Sequence, residues 1–210
     1  MKTKYENPKL KEVAQKTMAT LGSGGMAQAV KLPEGEDLNE WLAVNTVDFF
    51  NELNLIYGAV SQVCTKETCP AMTAAEGYTY LWQDSSKYTT PTELSAPEYV
   101  DNLMEWAELQ INDETIFPMQ EGEAFPKDFK KRVSNLFRRF FRVYAHIYHA
   151  HLDSVLELGA DAHLNTCFKH FIFFVLEFDL IESKELTPLQ SVIDSMLKRS
   201  AQRSGAACAE

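Results

Sequence analysis

Between Arg138 and Asp153 the chain reads RRFFRVYAHIYHAHLD, three arginines running into three of its five histidines. Earlier, VCTKETCP sets Cys64 and Cys69 with four residues between them and a proline behind. Thiolates and imidazoles are the usual ligands of structural zinc, and two of these histidines would complete a Cys2His2 set. Unrelated cysteines and surface histidines are the plain alternative. Spacing leaves the choice of histidines open. His146 and His149, three apart, share a helix face. His146 and His151, five apart, lie about 140° from each other around an ideal helix, so that pair needs a helix that bends or ends. Bare helix geometry therefore favours His146 with His149. His163 and His170 have no partner at matching spacing and read as capping or core histidines. Cys167 reads as a small buried residue and Cys208 as part of the tail.

Four protein ligands close a tetrahedral zinc and leave no position for an activated water. A zinc hydrolase would need such a position, and it is the first alternative to a structural metal. The sequence holds no phosphate-binding glycine loop, no nucleophile elbow and no HExxH. TLGSGG (Thr20 to Gly25) lacks the strand context and spacing of a nucleotide loop.

Charge is distributed unevenly. Residues 32–126 carry eighteen acidic side chains against two basic ones, whereas residues 127–142 carry seven basic against one acidic. The whole chain is at −10. A general nucleic-acid binder needs a broad positive footprint, which makes a nucleic-acid-binding zinc module the weaker of the alternatives. One basic partner and one small anionic ligand suit the pattern better. The N-terminus MKTKYENPKLKEVAQK has no apolar signal core. The most apolar run, FKHFIFFVLEF, is about half a membrane span. The expectation is a cytoplasmic and nuclear protein, where close cysteines point to metal before disulfide.

These residues need elements to position them. DLNE (Asp37 to Glu40) predicts a helix start before a long apolar-periodic run. SAPE (Ser95 to Glu98) reads as a capping box opening a helix to about Ile111, and TPLQ (Thr187 to Gln190) as another before a helix to about Arg203. Phe129, Val133, Phe137, Phe140, Tyr144 and Ile147 step by three and four, so one face of that helix is core and its basic residues lie largely off it. Another helix is expected from about Ala160 to Phe178, and a weaker one before GSGG. Between Cys64 and Pro97, GYTYLWQD and KYTTP carry aromatic and threonine residues between turns, which predicts a small hairpin. The fold class expected is all-α: a helix bundle, with a four-helix core plus additional helices, a small β-hairpin or irregular excursion and a structural zinc. The division expected is an N-terminal regulatory extension and helix over 1–31, the helical domain over 32–203 and a flexible tail over 204–210.

Several blocks resemble a known family. TLGSG, LPEGEDLNEWLAVNTVDFFNELNLIYG, SAPEYVDNLMEWAELQINDETIFP, FRVYAHIYHAHLDSV and AHLNTCFKHFIFFVLEFDLI are similar to the Mob kinase activators (Mps one binder proteins), above all to their Hippo-pathway and mitotic-exit branch. Agreement runs from about Thr20 to Leu197. The resemblance implies a helix bundle with one structural Zn2+, no enzymatic activity, and a role as co-activator and scaffold for NDR/LATS-type kinases. It makes Cys64, Cys69, His146 and His151 the zinc ligands, overriding the geometric preference for His149. It also implies a phosphopeptide site at Arg138, Arg139 and Arg142 for an upstream Mst/Hippo-type kinase. Their three- and four-residue spacings let the three heads converge on one phosphate. The kinase-binding face falls on Glu36, Glu40, Trp41 and Asp48, acidic and apolar, complementary to a basic helical extension of the kinase. Trp41 also lies in the apolar register, so a packing role stands beside that one. Thr20 matches an activating phosphorylation site. Residues 1–15 depart from the family, and only Thr3 could stand in for a second phosphosite there.

Overall fold

The computed structural model describes residues 25–75, 77–120 and 122–206, with side chains described through residue 198. It is mostly helical, with one small two-stranded sheet. In chain order the elements are α1 (Met26–Ala29), α2 (Leu38–Val60), β1 (Thr73–Ala75), β2 (Tyr78–Thr79), α3 (Ala96–Ile111), α4 (Phe129–Ala150), α5 (Leu152–Glu157), α6 (Asp161–Phe178), a 3-10 turn (Ser183–Leu189) and α7 (Gln190–Ala206).

Helix α2 begins where its sequence says it should: the Asp37 carboxylate accepts from the backbone N–H groups of Asn39 and Glu40 at 2.8 and 3.1 Å. Such a cap satisfies donors that the first turn cannot pair internally. From Trp41 to Val47 every residue is buried, polar ones included. Asn45 and Thr46 survive there because each donates to the carbonyl four residues back, Trp41 O at 2.8 Å and Leu42 O at 2.6 Å. A buried polar group without such a partner would cost about 1–3 kcal/mol.

Helix α4 is the hub. It packs against α2, α3, β1 and the 3-10 turn. Phe137 on α4 meets Phe49 of α2 edge-on at 5.4 Å and stacks on Phe171 and Phe174 of α6 at 5.4 and 5.5 Å. One aromatic cluster thus joins three helices. The basic residues Lys130, Lys131, Arg132 and Arg138 stay exposed on the opposite side, as the three-and-four stepping of the apolar residues requires.

Several boundaries differ from the sequence expectations. The run through HAHLD is broken: α4 stops at Ala150, His151 takes the non-helical angles φ −130°, ψ 12°, and α5 starts at Leu152. TPLQ does not cap the last helix. It lies at the end of the 3-10 turn, where the Thr187 hydroxyl bonds back to Lys184 O at 2.8 Å, and α7 starts only at Gln190. SAPE does open α3, which runs to Ile111 as expected, but the Ser95 hydroxyl donates to the Glu98 carboxylate at 2.6 Å and makes no bond to the helix backbone. The hairpin falls partly elsewhere too. Thr73 pairs with Thr79 and Ala75 with Tyr78 around Gly77, whose φ of 84° favours glycine, while Trp82 and Thr92 form a separate bridge. The weaker helix before GSGG lies outside the described residues.

Candidate metal centre and anion site

Cys64 and Cys69 stand just beyond α2, on an irregular loop held on several sides. Cys69 N donates to Thr65 O at 2.8 Å, and Cys69 O accepts from Ala96 N at 3.0 Å. Lys66 pairs with Glu98 at 2.6 Å, tying the loop to α3. His146 projects from α4 into this loop, and His151 joins it because the helix has already ended. Their imidazoles meet edge to face at 5.1 Å. Cys64 Sγ lies 3.5 Å from His146 Nε2, and Cys69 Sγ lies 3.4 Å from His151 Nε2. All four ligand atoms are within 4.8 Å of one another, and all four residues are buried.

These separations fit zinc. With Zn–S near 2.3 Å and Zn–N near 2.0 Å, a tetrahedron has a sulfur-to-nitrogen edge of about 3.5 Å. His146 Nδ1 sits 2.7 Å from Thr73 O, which orients the ring and leaves Nε2 for the metal. Burial lowers the His146 imidazole below its ordinary range and brings His151 down to about 4, so both rings are neutral, the metal-binding form. Burial also pushes the Cys64 thiol up to about 12, so a thiolate at this depth calls for a cation beside it. His149, the geometric favourite, is exposed and outside the cluster. His163 is exposed, 3.7 Å from the buried Cys167 sulfur. His170 packs on Phe49 at 4.7 Å, its Nδ1 has no hydrogen-bond partner, and burial holds it down to about 4. Neither joins the cluster. Cys208 lies outside the described residues.

The arginines of α4 form a second site. Arg138 is exposed and donates to Asn135 Oδ1 at 2.8 Å. Arg139 lies in a corner of two indoles, 4.4 Å from the Trp82 ring and 4.3 Å from the Trp106 ring, with Nη2 donating to Gln83 O at 2.9 Å. Arg142 lies over the Tyr80 ring at 5.0 Å, and its Nη1 donates to Tyr99 Oη at 2.8 Å. Arg139 Nη1, Arg142 Nε and Tyr80 Oη are buried without a hydrogen-bond partner. Burial lowers the Arg139 guanidinium, and the nearby charges of Arg142 and Arg138 push the same way; a guanidinium still remains charged at any physiological pH. Two cations with unpartnered N–H groups, three residues apart on one helix, suit an anion rich in acceptors. Spacing had pointed to the arginines but not to their walls. Tyr80, Trp82, Gln83, Tyr99 and Trp106 come from two other parts of the chain, and only the excess of aromatics there hinted at them.

The acidic residues near the start of α2 divide differently. Glu36 and Glu40 are half-buried and Asp48 is exposed. Trp41 is 1 % exposed, and its indole N–H donates to Val30 O at 3.2 Å, clamping the end of α1 onto α2. Of its two expected roles, the packing one is filled here. Thr20 and Thr3 lie outside the described residues. Among the described residues, no helix is long and apolar enough to cross a membrane.

The model of the Mob1/phocein family matches residues 18–189. "MOB kinase activator-like 1B" of Arabidopsis thaliana is 58% identical over 179 residues, covering 85% of this chain and 83% of that protein. "MOB kinase activator-like 1 homolog B" of Dictyostelium discoideum is 54% identical over 182 residues, 87% of this chain and 84% of its own. "MOB kinase activator-like 1A" of Medicago sativa subsp. falcata is 54% identical over 180 residues, covering 86% and 84% respectively. With a buried cluster of two cysteines and two histidines and a family match over most of its length, the chain belongs to the Mob1/phocein family.

Proposed function

We propose that the chain is a non-catalytic co-activator and scaffold of NDR/LATS-type protein kinases, carrying one structural zinc ion. The relatives named as kinase activators support the activator role. In this reading the basic N-terminal region of the kinase lies on the acidic side of α2, near Glu36, Glu40 and Asp48. A phosphorylated segment of an upstream Mst/Hippo-type kinase docks on Arg138, Arg139 and Arg142, phosphorylation of Thr20 favours the active state, and the protein works in cytoplasm and nucleus. Zinc, held by Cys64, Cys69, His146 and His151, would fasten the 64–79 loop to α4. With all four positions taken by protein, its chemistry is structural rather than hydrolytic.

The observation that carries the docking site is the pair of buried, unpartnered guanidinium nitrogens, Arg139 Nη1 and Arg142 Nε. Burying charged donors without acceptors is costly, so such a pair persists where a ligand supplies the acceptors. A phosphate offers three strong acceptor oxygens and up to two charges. The test compares a fluorescent phosphothreonine peptide with its unphosphorylated twin, on the wild type and on Arg138→Ala with Arg142→Ala. Binding of the phosphorylated peptide alone, lost in the double variant with its melting temperature kept, is expected. Equal affinity for the two peptides sinks the proposal.

A further inference from the structure

Arg139 is held by contacts other than the bond it would make to a ligand. The angle between the Trp82 and Trp106 rings is 82°, with centroids 6.3 Å apart, so the guanidinium fills the corner of two nearly perpendicular indoles. Trp82 is itself pinned. Its indole N–H donates to Asp84 Oδ2 at 2.8 Å, and its ring meets Tyr99 edge-on at 5.2 Å. Tyr99 in turn accepts from Arg142, so one aromatic chain reaches both cations. Three separate parts of the fold supply it: Trp82 from the loop after β2, Tyr99 and Trp106 from α3, and the arginines from α4.

We infer that Trp106 and Trp82 are positioning residues of the anion site: they fix the plane of the Arg139 guanidinium, whose Nη1 has no hydrogen-bond partner within the fold. This rests on the phosphopeptide reading above and deepens it. An arginine on a solvated surface must surrender side-chain freedom on binding. Arg139 has already given that up, with two ring faces and the Gln83 carbonyl setting its plane. Trp106 also borders a groove lined by Arg138, Leu180, Ile181 and Glu182, so one ring touches both Arg139 and that groove. Trp106 is the better probe because it is only partly buried against the core, whereas Trp82 is 1 % exposed.

The experiment measures affinity for the phosphothreonine peptide and its unphosphorylated twin in wild type, Trp106→Leu and Trp106→Phe. Leucine removes the π-face and should weaken the phosphorylated peptide about ten-fold, while phenylalanine, which restores a face, should recover most of that loss. The unphosphorylated peptide, which on this reading does not bind the wild type, should bind neither variant. Wild-type affinity for Trp106→Leu, or equal loss in the leucine and phenylalanine variants, overturns the positioning role. Absence of phosphate-dependent binding in the wild type overturns the docking reading instead. Should Trp106→Leu fail to fold, titration of the wild type with the phosphopeptide decides. Both indoles touch Arg139, so their emission should change on binding, and unchanged emission with confirmed binding refutes the inference.

Discussion

Replacing His151 and His149 in turn separates what helix geometry favours from what the fold has built. His151 lies 3.4 Å from Cys69 Sγ inside the buried cluster, and His149 is exposed two residues away. A structural zinc contributes on the order of 10–16 kcal/mol, so losing one of four ligands forfeits roughly 3 kcal/mol. Cys69, 7 % exposed, then keeps no imidazole partner. Leaving a buried polar group unsatisfied costs about 1–3 kcal/mol more. A loss of about 4–6 kcal/mol lowers the melting temperature of a chain this size by roughly 10–20 °C. His149→Ala removes an exposed side chain and should stay within about 0.5 kcal/mol. Thermal unfolding of both variants, with zinc per chain measured by chelator release, reads the difference. The expected result is one zinc per chain in wild type and His149→Ala, against weak or partial loading and early melting in His151→Ala. If His149→Ala loses the metal and His151→Ala keeps it, the assignment of ligands is wrong. If wild type purified without chelators melts the same before and after metal removal, the structural role is refuted.

Three further outcomes are expected. Burial lifts the Glu52 carboxyl to about 7 from 4.5, with Asp48 adding repulsion and the Cys167 thiol opposing the rise. The fold then holds a proton that the unfolded chain releases, so stability should fall as pH rises from about 4.5 to 7, by on the order of 3 kcal/mol; Glu52→Gln should flatten that slope in urea titrations, and an unchanged slope counts against it. Arg142→Lys keeps the charge but cannot both donate to Tyr99 and reach the ligand through a fork, so phosphopeptide affinity should drop by about 1.5–3 kcal/mol, roughly 10- to 150-fold; wild-type affinity would remove Arg142 from the site. Asp48→Lys on the exposed side of α2 should weaken binding of a basic kinase segment, most at low salt; unaltered binding moves the kinase interface elsewhere.

Much of this architecture was legible in one dimension because it is set by local rules. The Asp37 cap, the stepping of apolar residues along α4 and the burial of Phe171 and Phe174 follow from short-range spacing and capping. So does the placing of three arginines on one helix. Family likeness supplied the choice of His151, which spacing alone argued against. The tertiary structure shows the reason: α4 ends at Ala150, and His151, freed from helical angles, swings back beside His146. That break depends on how α5 and the cysteine loop pack, and a periodic pattern carries no record of it. TPLQ failed for a similar reason, since a capping pattern does not say whether an α-helix or a 3-10 turn surrounds it. What the sequence by itself determined was which residues can bear chemistry and which helix faces carry them. Only the tertiary structure decided that Trp82 and Trp106 enclose Arg139, because those contacts join residues from three elements, and Coulombic and π interactions depend on distance in space rather than along the chain.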